Sequence, residues 1–183
     1  MLETAAGRVV GSAGILPLVT ETAVALGSLC YRNASPRLCA LGFAAEDLAS
    51  DLGIDARDSD GLNPLLQDAR RRVAIAAVAA GVLAIDTPFP SVEGKDMMTR
   101  EASDAARLGF SGKMCIHPGQ IEIVNEVFQP DGQRIEWAMA VVKALSGPDE
   151  AGVALVNGKM VDRAHLRLAE RTLRIVERGV SRP

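Results

Sequence analysis

Long apolar runs, paired cysteines, histidines and basic clusters are all scarce in this sequence, and each scarcity removes a class of function. No uninterrupted apolar stretch reaches the roughly 18 residues needed to cross a bilayer, because charges or turn residues break every candidate. The opening residues carry Glu3 and Arg8 and lack the apolar block of a cleavable signal. A cytoplasmic location and no membrane partner are therefore expected. Cys30, Cys39 and Cys115 are odd in number and have no CxxC spacing. That disfavours a disulfide framework or a zinc site, and the expectation is buried or neutral thiols in a reducing compartment. The 2 histidines, His117 and His165, belong to no Ser-His-Asp order, and no phosphate-cradling glycine fingerprint appears. With 20 Lys and Arg against 23 Asp and Glu, the net charge is -3. A slightly acidic chain with little basic clustering has no electrostatic footprint for nucleic acid.

What is present is enough for a core, since 48% of the 183 residues are hydrophobic. The chain is organised around residues 15–53. Two apolar runs, 15–19 and 38–43, end abruptly on acid: Glu21 after the first, Asp47 (following Glu46) after the second. Near-continuous hydrophobicity without alternation is the pattern of parallel strands covered on both faces. In α/β folds ligands gather at the carboxyl ends of such strands. Two carboxylates at neighbouring strand ends can share a hard cation such as Mg²⁺, with waters and substrate oxygens completing the shell. The plainer reading is that each acid caps, or meets the dipole of, the helix that follows it.

Along the rest of the chain, residues 1–14 read as a curtailed helix broken by Gly7, Gly11 and Gly14, and residues 23–29 as a short helix. Residues 51–63, rich in Asp and Gly, read as a surface loop. Asn63-Pro64 is an N-cap followed by Pro at the first helical position, opening an alanine-rich helix over 65–80 that Gly81 stops. Arg70, Arg71 and Arg72 on this helix are assigned to a solvated face. Residues 82–85 form a third strand ending on Asp86, residues 95–108 a helix, and residues 112–117 a fourth strand ending on His117. That histidine reads as the anchor of its own loop more readily than as a catalytic group. A helix over 131–145, a hairpin over 152–161 bent at Asn157-Gly158, and a final helix over 162–176 complete the chain. Strand-helix alternation of this kind belongs to a (β/α) barrel or an open doubly wound sheet.

Several segments carry a family resemblance. LPLVTETA and ASPRLCALGFAAEDLASDLG resemble the fifth and sixth strand regions of the citrate lyase beta-subunit-like family, CoA-ester lyases within the HpcH/HpaI aldolase/citrate lyase superfamily. AGVLAIDTPFPSVEG and GFSGKMCIHPGQIEIVNEVFQP resemble its seventh and eighth, in the same order. NGKMVDRAHLRLAERTL is similar to its C-terminal element, with Ala164 where the family normally has Pro. The resemblance implies an α/β chain of (β/α) TIM-barrel type, strands five to eight only. Residues 1–129 would form the partial barrel, and residues 130–183 a helical extension with a short hairpin.

It further implies that Glu21 and Asp47 bind Mg²⁺ and that Asp162 carries a proton, reaching the site of a neighbouring subunit. By spacing alone Asp162 is an ordinary helix N-cap. Met1-Leu2-Glu3-Thr4-Ala5 spells the same ETA motif as Glu21-Thr22-Ala23, but only Glu21 follows a full apolar run. The implied activity is reversible cleavage of a 3-hydroxyacyl-CoA such as citryl-CoA or malyl-CoA. The first four strands, with the family's substrate-binding arginine, have no counterpart here. A fragment, a truncated gene product or half of a split enzyme is expected, working as a homo-oligomer or with a chain supplying the amino half. The alternatives are a 2-oxo acid aldolase of the same superfamily, a non-catalytic binding or interaction module, and a small doubly wound domain.

Overall fold

A computed structural model describes residues 2–146 and 152–180. The chain divides into two compact units, Met1–Phe128 and Gln129–Pro183. The first unit runs α1 (Leu2–Ala5), α2 (Ala23–Gly27), β1 (Ala40–Gly42), α3 (Ala45–Leu52), β2 (Arg57–Asp58), β3 (Gly61–Leu62), α4 (Pro64–Ala80), β4 (Leu83–Asp86), α5 (Lys95–Arg107), β5 (Gly112–Lys113) and α6 (Ile121–Phe128). Its sheet has the order β1-β4-β5, with both pairings parallel. The order follows the chain, without the reversal that marks a doubly wound sheet.

Residues 15–19 lie along the other edge of β1 through two isolated parallel bridges, Ile15 with Leu38 and Leu18 with Gly42. Pro17 explains why no regular strand forms there. It has no N–H to give a ladder, which confines it to a sheet edge. Its carbonyl still accepts from the Gly42 N–H at 2.8 Å, and the Val19 N–H donates to the Gly42 carbonyl at 2.9 Å. The approach is close because Gly42 lacks a side chain: a Cβ there would stand 2.7 Å from Leu18 Cδ2 and 3.0 Å from Leu16 Cδ2.

Helix α4 forms as its ends predict. The Asn63 side chain accepts from the Leu65 N–H, Pro64 opens the helix, and Gly81 at φ 73° closes it. Its inward face carries Leu66, Ala69, Arg70, Val73 and Ala77, and the small alanines let it lie against β1 and β4. Leu41, Phe43, Leu48, Leu66 and Val73 are fully buried in the resulting core.

Three expectations change. Residues 51–63 are not an unstructured loop: α3 extends to Leu52, and β2 and β3 pair as a small antiparallel hairpin. The strand expected to end on His117 stops at Lys113. The Met114 N–H still donates to the Asp86 carbonyl at 3.0 Å, and after it side chains take over from the ladder. Gln120 Oε1 accepts from the Ile116 N–H at 2.9 Å, and the His117 ring accepts from the Gly119 N–H at 3.0 Å. The three cysteine thiols are free and exposed rather than buried.

The second unit contains α7 (Gly132–Leu145), β6 (Val153–Val156), β7 (Lys159–Asp162) and α8 (Arg163–Val180). Asp131 caps α7 by accepting from the Arg134 N–H at 2.7 Å. The β6–β7 hairpin turns on Asn157 and Gly158, with φ of 51° and 74°, the pair of positive values that a two-residue turn between twisted strands requires. Ala138, Val141, Val156, Val161 and Ala169 make its core. Among the described residues no helix is long and apolar enough to cross a membrane.

Candidate functional site

The segments that lead into the two acids are bonded to each other in the fold. Residues just past the edge segment and β1 are stitched together by Thr20, whose hydroxyl accepts from the Ala44 N–H at 2.9 Å. Glu21 and α3 follow directly on the two sides of that link. One turn beyond Asp47 on α3, Asp51 accepts the Ala23 N–H at 2.7 Å, tying the start of α2 to the same helix.

Capping does not employ either candidate ligand. Thr22 caps α2 by accepting from the Ala25 N–H, and Ala44 stands at the N-cap of α3 without a side-chain bond. Glu21 and Asp47 are both exposed, and neither carboxylate takes a hydrogen bond or ion pair among the described residues. Glu3, in the repeated ETA, is different. Its carboxylate accepts from the Gly11 and Ala13 N–H groups at 2.7 Å each and pairs with Arg37 at 3.1 Å. Those backbone donors, the one from Gly11 foremost, hold Glu3 below the usual glutamate range. Glu3 fastens its own loop, while Glu21 and Asp47 remain available to a cation. No group of three or more His, Cys, Asp or Glu among the described residues could hold a metal. Two carboxylates completed by water and substrate oxygens match the way Mg²⁺ is ordinarily bound.

Behind these strand ends lies a buried ionic cluster that sequence reading missed. Asp86, at the end of β4, is completely buried. It receives Arg70 Nε at 2.8 Å, Arg70 Nη2 at 2.6 Å and Lys113 Nζ at 2.8 Å. Lys113 also reaches Glu101 Oε1 at 2.6 Å, and the Arg57 fork meets both Glu101 oxygens at 2.8 and 3.1 Å. Arg57 continues to the Pro88 carbonyl at 3.0 Å and to Glu46. Burial alone would raise the Glu101 pKa, but Arg57 and Lys113 outweigh it and hold the carboxyl below its usual range. Burial likewise works against the charge on Arg57, yet Glu101 and Glu46 raise its pKa.

Arg70 therefore does not belong to a solvated face. Only Arg71, paired with Asp68, and Arg72, donating to the Leu26 carbonyl, lie at the surface. The signal was legible: Arg70 falls four residues after Leu66 and three before Val73, on the helix stripe that faces the core. Glu101 falls likewise between Met98 and Ala105.

Asp162 closes β7 and caps α8. Its Oδ1 accepts from the Ala164 N–H at 2.9 Å and lies 2.7 Å from His165 Nδ1. The His165 contact is the main reason its pKa is lowered. Ala164 supplies one of two capping donors, the other being the His165 N–H at 3.3 Å; a proline at 164 would leave only the second. His117 caps its own 3₁₀ turn and is not drawn into the strand-end site.

A parallel sheet flanked by helices, with unengaged carboxylates beyond β1 and the segment beside it, defines the class: an α/β protein. The HpcH/HpaI aldolase/citrate lyase family model matches residues 3–118, and the chain belongs to that family. Citrate lyase subunit beta of Leuconostoc mesenteroides subsp. cremoris is 33% identical over 171 residues, covering 92% of this chain and 56% of its own length. A (3S)-malyl-CoA thioesterase of Cereibacter sphaeroides is 34% identical over 155 residues, with 84% and 53% covered. The chain thus spans little more than half the length of these relatives. A crystal structure of CitE from Mycobacterium tuberculosis with magnesium, acetoacetate and coenzyme A superposes with a TM-score of 0.72 at 28% identity, over 96% of this chain and 72% of that one. A citrate lyase from Burkholderia xenovorans shares the fold with a TM-score of 0.79 at 24% identity, over 97% of this chain and 57% of its own.

Proposed function

We propose that this chain is the carboxyl half, strands five to eight, of a (β/α) barrel that cleaves a carbon–carbon bond in a 3-hydroxyacyl-CoA of the citryl-CoA or malyl-CoA kind. One observation carries the reading: Glu21 and Asp47 follow two hydrogen-bonded parallel segments, and neither carboxylate has a protein donor. Unengaged acids so placed bind a hard cation, and magnesium in the CitE complex supports Mg²⁺ as that cation. When bound there, Mg²⁺ supplies Lewis acidity toward an oxygen of the hydroxy- or keto-acid portion. Glu21 and Asp47 hold the cation and thereby orient that portion. Cleavage also needs a group to take the hydroxyl proton and another proton delivered to the thioester α-carbon as negative charge develops there. Asp162, reaching in from a neighbouring subunit, is assigned to that exchange. The names of the relatives favour a CoA ester over a free 2-oxo acid. The family also embraces aldolases, and a requirement for CoA in turnover separates the two.

The preceding strands of the barrel, on a longer chain or on a companion chain, would complete the substrate grip. The test is calorimetric titration with Mg²⁺ or Mn²⁺ of the parent chain, Glu21→Gln and Asp47→Asn. Weaker binding in both variants is expected; equal affinity in all three removes the metal site and the lyase reading built on it.

A further inference from the structure

The first turn of α3 is held from outside. Its N-cap, Ala44, has no side chain able to cap, yet consecutive residues are each gripped by a different part of the unit. The Ala44 N–H donates to the Thr20 hydroxyl at 2.9 Å, and the Ala45 N–H to the Thr87 hydroxyl at 3.1 Å. The Glu46 carboxylate pairs with Arg57. Thr20 and Thr87 are completely buried, and the Arg57 side chain is 10% exposed. Asp47 is the next residue and the first in the series with no partner of its own.

We infer that Arg57, acting through Glu46, is a positioning residue for Asp47 and sets the affinity of the strand-end site for a divalent cation. The inference rests on the metal-site reading above. The guanidinium suits the task because it is fixed at both ends. Its Nε and Nη2 fork is locked onto Glu101, itself anchored by Lys113, and Nη2 also meets the Pro88 carbonyl. The Phe89 ring lies 5.8 Å from the guanidinium carbon. The remaining nitrogen, Nη1, reaches Glu46. One planar group therefore joins the hairpin carrying Arg57, the loop after β4, helix α5 and the first turn of α3. A flexible lysine could not hold these directions together. Outer groups that orient a metal ligand typically contribute about 10–100-fold to metal affinity.

Simple charge effects predict the opposite sign at Arg57. Removing a cation near the site should tighten the binding of a divalent metal, whereas loss of positioning should weaken it. The experiment titrates Mn²⁺ into the purified 183-residue chain, following the free-ion electron paramagnetic resonance signal, with Arg57→Met, Glu46→Ala, Glu46→Gln and Asp47→Asn as variants. Far-UV circular dichroism checks that each is folded. Arg57→Met and Glu46→Ala are each expected to weaken Mn²⁺ binding at least about tenfold. Glu46→Gln, which loses the charge but keeps an oxygen for Arg57, should stay within about threefold of the parent, well inside that range.

Glu46 is exposed, so its variants decide the question even where Arg57→Met fails to fold. Parental affinity in Glu46→Ala, or equal weakening in Glu46→Ala and Glu46→Gln, overturns the positioning role, as does tighter binding in a folded Arg57→Met. Those results leave the metal reading standing provided Asp47→Asn is impaired. Parental binding in Asp47→Asn, or none in either protein, overturns the metal reading and the positioning role together.

Discussion

Arg70→Met removes the larger partner from a buried ion pair in the first unit, and its cost follows from the geometry. Arg70 gives Asp86 two bonds at 2.8 and 2.6 Å and a third to the Glu101 carbonyl at 2.8 Å, with 2% of Arg70 and none of Asp86 exposed. Breaking a buried pair by removing one partner costs about 3–5 kcal/mol, because the other charge stays desolvated. Lys113 remains 2.8 Å from Asp86, which places the expected loss near the lower figure, about 3 kcal/mol. Domains of this size are stable by only about 5–15 kcal/mol, so the loss is a large fraction of the whole. The double variant Arg70→Met/Asp86→Leu removes one charge of each sign and leaves Lys113 with Glu101. It should recover most of the stability, giving a coupling of about 1–3 kcal/mol in a double-mutant cycle.

The chain's single tryptophan, Trp137, lies in the second unit. Native-state hydrogen exchange at β1 and β4 is therefore the better assay, and the Phe43 N–H bonded to the Ile85 carbonyl is a suitable reporter. Arg70→Met should speed exchange there about 100-fold, since each tenfold corresponds to about 1.4 kcal/mol. A loss under about 1 kcal/mol, the range of surface pairs, would refute the reasoning. So would a double variant as unstable as the two single losses combined.

Gly42→Ala makes the partly exposed tips of Leu16 and Leu18 swing aside and should destabilise by about 1 kcal/mol, the low end for overpacking. Because that edge segment leads into Glu21, Mn²⁺ affinity should fall with it, and parental stability in a melting experiment would contradict the close approach. For Glu101 the folded pKa is depressed, so its stabilising contribution is fully present above the ordinary glutamate value of about 4.3. It is lost as pH falls through the lower folded value. Acid unfolding of the first unit should therefore be steepest below about pH 4, and Glu101→Gln should flatten that limb. The edge segment presents unpaired backbone groups on its outer side, and exposed strand edges invite pairing. Light scattering behind size exclusion should find an oligomer; a well-dispersed monomer at micromolar concentration would contradict this.

Local chemistry was readable from the sequence wherever a residue acts on its immediate neighbours. Asn63-Pro64 and Gly81 bound α4 because caps depend on a few adjacent backbone groups. Asn157-Gly158 turns its hairpin because both residues accept positive φ. The apolar run over 38–43 announced a parallel strand, buried throughout Ala40–Gly42, whereas Ile15, Leu16 and Leu18 of the first run are exposed rather than covered on both faces. Tertiary structure alone decided what each charged side chain meets. Arg70 and Glu101 lie 31 positions apart and Arg57 and Glu101 44, so no local pattern joins them; only the stacking of α4, α5 and the β2–β3 hairpin does. The same holds for the acids. By sequence, Glu3, Glu21, Asp47 and Asp162 are equivalent carboxylates near helix starts. Folding brings Glu3 two backbone N–H groups and an arginine from farther along the chain, while Asp162 finds its cap and its histidine within three residues. Folding brings none to Glu21 or Asp47. A carboxylate's availability depends on which donors the fold brings within about 3 Å, and that distance is set by the packing of segments remote in the chain.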